Sequence, residues 1–168
     1  MHPIDPVLTA LIDHASEFVE KRFRDVGRIE PIWIAVDQNG DQVAVPTPIP
    51  FVNPAAKDHA TRIVRAMFVL TGVTRYVFVC ESWILLSDDV PIDVESVQRD
   101  GIADHPARRE VVNMIAESEL CGLVMAWRLI IRPPKGKARL GPLVVEQRDG
   151  LTVEGRMSSM LPRKGRAS

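Results

Sequence analysis

Three charged or amide residues interrupt stretches that otherwise read as apolar strand: Glu81, Asn113 and Arg128. Glu81 stands between Val79 and Trp83, Asn113 between Val111 and Ile115, and Arg128 between Ala126 and Ile130. Side chains alternate faces along a strand, so each is the polar member of an apolar row. If the strands are neighbours and their parities coincide, a carboxylate, an amide and a guanidinium meet on one sheet face beside Trp83 or Trp127. Such a group can bind a polar small molecule or orient a water. The plainer reading is a half-wet sheet face on which Glu81 and Arg128 form a cross-strand ion pair. In either case the two charges are expected in contact, because an unpaired buried charge is too costly to persist.

A second candidate lies in Asp104-His105-Pro106-Ala107-Arg108-Arg109-Glu110. The proline restricts His105 to extended conformations, and a histidine held near carboxylates can exchange a proton near neutral pH. Together with Glu81 and Arg128 it would make a small hydrolase-like site. The simpler role is a capping or surface histidine, with Arg108, Arg109 and Glu110 as solvated edge charges. A third cluster is basic: Arg132, Lys135, Lys137 and Arg139, then Arg156, Arg163, Lys164 and Arg166. It lacks interleaved aromatics for base stacking, so any nucleic-acid binding would be weak, non-specific and salt-sensitive. A net charge of −1 also argues against a dedicated nucleic-acid binder.

No phosphate-binding glycine loop, dinucleotide fingerprint, zinc-protease helix, nucleophile elbow or CxxC pair occurs. No histidines are paired at metal-ligand spacing, and neither a metal nor a cofactor is expected. Cys80 and Cys121 both lie in apolar runs and read as buried free thiols of a reducing compartment, with a single disulfide as the alternative. The N-terminus has no basic stretch before an apolar core, and no apolar run nears the ~20 residues of a membrane helix. A cytoplasmic protein with no membrane partner is expected.

The elements that would position these residues centre on Thr74–Leu86. Its even residues (Tyr76, Phe78, Cys80, Ser82, Ile84) and its odd residues (Val77, Val79, Glu81, Trp83) are both mainly apolar, as in a central strand. The even face is the cleaner one and is expected to meet the helices. Asp5-Pro6 starts a first helix that Gly27 ends. Asn39-Gly40 marks a hairpin, and a two-residue loop there pairs Val36 with Val43 and Ile34 with Val45. After a proline-rich connection, a second helix runs from Ala55 to Thr71. The span from Ser87 to His105 reads as a mobile acidic loop. Arg109–Glu117 and Gly122–Arg132 read as two strands, and Leu143–Gln147 with Leu151–Arg156 as a last hairpin.

The segment Cys80–Trp83 (CESW) after a helix and His105–Glu110 (HPARRE) before a strand pair resemble those of small bacterial and phage-borne α+β proteins. Such proteins have no established activity, so the resemblance implies no function.

These features predict one α+β domain over 1–161, with a mainly antiparallel sheet of about six or seven strands, two helices on one face and a disordered basic tail over 162–168. An apolar fraction of 46% and a charged fraction of 26% suit such a domain. The expected function is binding or association without catalysis, as a homodimer, because two apolar sheet faces exceed what two helices can cover. The ligand-binding candidates are Glu81, Trp83, Asn113, Trp127 and Arg128.

Overall fold

The computed structural model describes residues 5–86, 91–120, 122–146 and 160–161. The expected strand over 151–156, the tail over 162–168 and the environment of Cys121 lie outside them. Among the described residues the chain forms an α+β fold. In order, its elements are α1 (Pro6–Val26), β1 (Ile32–Asp37), β2 (Gln42–Pro46), α2 (Pro54–Thr71), β3 (Val73–Leu85), α3 (Val94–Asp100), β4 (Arg108–Ser118), β5 (Gly122–Ile131), β6 (Arg139–Leu140) and β7 (Val144–Glu146).

The helix ends follow the local chemistry. The Asp5 carboxylate accepts from the Val7 N–H and the Asn53 amide oxygen from the Ala56 N–H, each just ahead of a proline. The acidic stretch is not wholly irregular, because Asp93 caps the Glu95 N–H and starts the short helix α3. None of its residues is buried.

The strands pair antiparallel in the order β2-β1-β3-β4-β5-β6, with β7 also on β5. Since β2 and β3 both run antiparallel to β1, they are parallel to each other and need a crossover, which α2 supplies. This explains a departure from the expectation of both helices on one face. Leu8, Leu11, Ile12, Ala15, Val19 and Phe23 of α1 pack with Ile34, Val36, Val77, Val79, Val112 and Met114. Val64 and Phe68 of α2 pack with Trp33, Ala35, Tyr76, Phe78 and Ile115, the alternate residues of the same strands. The two helices therefore cover opposite faces, as a strand apolar on both sides requires.

The first hairpin is also shifted by one residue. Ala35 pairs with Val43 and Trp33 with Val45, around a three-residue loop of Gln38, Asn39 and Gly40. The Asp37 carboxylate accepts from the N–H groups of Asn39 (2.8 Å) and Asp41 (2.9 Å), and Gly40 takes a φ of 87° that other residues disfavour. The shift places Val43 and Val45 on the Trp33 side, against the α2 core. On that same side the Tyr76 hydroxyl donates to Glu117 (2.6 Å), and the Met160 N–H donates to the same oxygen (2.9 Å). Burial, and then the adjacent carboxylate, push the Tyr76 phenol far above its ordinary range. This contact seats Met160 and Leu161 in the core.

Candidate functional site

The strand register divides the residues expected to converge. Glu81 pairs with Val112, which pairs with Arg128, so both charges stand on the α1 face. Asn113 pairs with Cys80 on one side and Trp127 on the other, which places all three on the α2 face. Trp83 shares the α1 face with Glu81 and lies opposite Glu110. The interruptions were legible residue by residue, but the parity between strands depends on register, which the alternation within one strand does not fix.

The expected Glu81–Arg128 ion pair does not form. The Glu81 carboxylate accepts from the Ile29 backbone N–H at 2.7 Å. Arg128 forms an ion pair with Glu20 of α1, donates from Nε to the Gly141 carbonyl (2.7 Å) and reaches the Ser16 hydroxyl at 3.4 Å. These contacts tie α1 and the segment after β6 to the sheet. Half-exposed Trp83 carries the Arg108 guanidinium 4.1 Å above its ring. Glu110 holds Arg132 through two bonds of 2.8 and 2.6 Å, which keep its carboxyl below the usual range. His105 Nδ1 accepts from the Ala107 N–H (3.1 Å), closing the turn into β4.

The structure instead brings together residues that sequence reasoning missed. A cleft of about 470 Å³ opens on the α2 face, lined by Pro31, Phe51, Lys57, Phe78, Cys80 and Ser82, with Glu81 at its edge. Here β3 outruns β1, whose pairing ends at Ile32 opposite Val79, so Cys80 and Ser82 lie beyond the last β1 partner. A larger cavity of about 670 Å³ lies between α1 and the proline-rich connection. Phe18, Ile29, Ile32, Pro46 and Pro50 give it an apolar lining, with Arg22 and Glu30 also on its wall. Pro31 and Phe51 belong to both linings. The Thr47 hydroxyl donates to the Pro31 carbonyl (2.6 Å) and fixes this shared wall to the start of β1.

Fully buried Trp33 meets Phe51 edge-on and Phe78 at a tilt, with ring centroids 6.2 and 4.6 Å away. Its Nε1, the Ser82 Oγ and the Asn113 Oδ1 are buried without hydrogen-bond partners. Burial pushes the Cys80 thiol up to about 11, with Lys57 opposing the shift and Glu81 adding to it. Cys80 is a free thiol and stays protonated near neutral pH, a poor state for a nucleophile.

The signals for this region were present but weak. Cys80 and Ser82 are small residues between Phe78 and Ile84 on one face, which leaves room above the sheet. Lys57 sits in the first turn of α2, where an acidic residue is favoured and none occurs.

Among the described residues no group of three or more His, Cys, Asp or Glu side chains could hold a metal ion. No described helix is long and apolar enough to cross a membrane. No family model matches this chain, and neither the curated proteins nor the solved structures contain a significant match to it.

Proposed function

We propose that this chain is a non-catalytic binding domain for a small amphipathic molecule, held across the two cavities that share Pro31 and Phe51. The observation that carries the reading is the set of three buried, unpartnered polar atoms at and beside the aromatic cleft. Buried polar groups are almost always satisfied, and those left over call for an explanation. A ligand with a polar head would satisfy the Ser82 hydroxyl in the cleft while its apolar part fills the larger cavity. Mostly apolar walls with a few polar groups are the usual make-up of small-molecule sites. The hydrolase reading has less support, since Glu81, His105 and Arg128 each already hold a backbone or ionic partner. A reducing, cytoplasmic setting fits the free thiol of Cys80.

The test is a titration with a fluorescent amphiphile, 1-anilinonaphthalene-8-sulfonate, followed by amide chemical shifts. Shifts gathered at Ile29, Ile32, Thr47, Phe51, Cys80 and Ser82, and lost in Ser82→Phe, are expected. Shifts spread over the surface, or insensitive to Ser82→Phe, would defeat the reading.

Homodimer formation is a second reading, favoured by Val69 (61% exposed) and Leu70 (85%) at the end of α2 and by Leu120 (85%) in the β4–β5 turn. The Glu119 N–H donates to the Thr74 carbonyl, which sets that turn beside the α2–β3 junction. Light scattering of the wild type and of Leu70→Lys/Leu120→Lys tests it. A dimer that the double change dissociates supports it, and a wild-type monomer at micromolar concentration ends it.

A further inference from the structure

The polar head of the ligand can be assigned from the charges around the cleft, an assignment that rests on the binding reading above. We propose that the cleft selects a carboxylate head group, with Lys57 as its counter-ion and the Ser82 hydroxyl as a second donor. Lys57 is half-buried on the cleft wall, and its ammonium has no carboxylate partner among the described residues. The first turn of an 18-residue helix, with no acidic side chain in it, adds positive potential at the same place. The one acid at the cleft, Glu81, has its Oε1 bonded to the Ile29 N–H.

The charge of Lys57 is felt inside the cleft, where it opposes the rise of the Cys80 thiol. One ammonium and one hydroxyl match a singly charged head with two oxygens. A phosphate monoester brings up to two negative charges, more than the single Lys57 ammonium balances, and the repulsion from Glu81 grows with the charge of the head. The wall at Pro31 and Phe51 then leads the apolar part toward Ile29, Ile32 and Phe18.

The experiment compares decanoate, decanol and decyl phosphate on the full chain carrying Trp83→Phe and Trp127→Phe, so that fluorescence reports Trp33 alone. Decanoate is expected to bind about tenfold more tightly than decanol, as a charge-assisted bond to a partly desolvated lysine allows. Decyl phosphate is expected to bind no better than decanoate. Lys57→Met should bring decanoate down to the affinity of decanol and leave decanol unchanged, with urea melting used to verify the fold. Equal binding of decanoate and decanol, or an equal loss of both in Lys57→Met, overturns the head-group assignment while the binding domain stands. Tighter binding of the phosphate overturns it also. Failure of every ligand to alter Trp33 emission overturns the binding reading and this assignment together.

Discussion

Glu81 and Arg128 stand on the same face of the sheet with Val112 between them, and each carries its charge to a different partner. Glu81 anchors the backbone just ahead of β1, at Ile29. Arg128 anchors α1 through Glu20 and Ser16, and the chain after β6 through the Gly141 carbonyl. A sheet face that packs against a helix tolerates charges only when each is satisfied, and here two separate tethers satisfy them.

The energetic consequence is independence. Arg128 has a side chain 14% exposed, so Arg128→Ala should cost about 2–3 kcal/mol, mainly through bonding groups left without a donor. Glu81→Ala strands the N–H of buried Ile29 and should cost about 1–2 kcal/mol. The double variant should show the sum, with a coupling below about 0.5 kcal/mol. Urea unfolding of the four proteins measures it, and a coupling above about 1 kcal/mol would restore the direct pair.

The helix α3 offers a contrast in local stability. It has seven residues, none buried, and its cap is Asp93. A helix this short cannot hold itself together, and none of its residues is buried in the core to hold it. Amide exchange over Val97–Asp100 should be orders of magnitude faster than at Val77 and Val79, which are fully buried. Comparable protection would mean that α3 docks on a partner.

What could be read from the chain was whatever depends on near neighbours. Asp5-Pro6, Gly27 and Gly72 delimit helices by local bonding, and both ends of α1 fall where expected. The two-sided apolar pattern of Thr74–Leu86 identified the central strand. What depends on distant pairing was not legible. Placing Asn113 beside Cys80 and Trp127 requires the β3–β4–β5 register, and placing α1 and α2 on opposite faces requires the β2–α2–β3 crossover. The hairpin slipped because the Asp37 side chain closes a three-residue loop, a competition that the Asn39-Gly40 pair alone does not reveal. The cleft eluded sequence reading because it is made by the absence of β1 beyond Ile32, not by any motif.

Asn113 separates a role in binding from a role in folding. It is 9% exposed, lies between Val111 and Ile115 on its face, and its Oδ1 has no partner. Replacement by leucine, close in volume, removes a desolvated acceptor without opening a cavity. Asn113→Leu should leave stability unchanged or raise it by up to about 1 kcal/mol, seen as a higher urea midpoint at constant m-value. A loss of more than about 1 kcal/mol would show that the amide already has a structural partner.

The Cys80 thiol makes stability fall in alkali. Burial raises it from near 9 to about 11 in the folded protein. A raised acid favours the fold in its protonated form, so its contribution is fully present below about pH 9. It fades as pH rises toward 11, because the unfolded chain gives up this proton first. The loss across that window should be on the order of 1–2 kcal/mol, allowing for the partial exposure of Cys80. Tyr76, also raised, contributes its own decline that sets in once pH passes about 10, where the unfolded phenol titrates, and so overlaps this window; the difference between wild type and Cys80→Ala is therefore the quantity to measure. That difference should be flat from pH 6 to 8 and shrink between about 9 and 11. A difference constant across the whole range would show that the thiol titrates alike in the folded and unfolded chains, and hence that the cleft does not shield it.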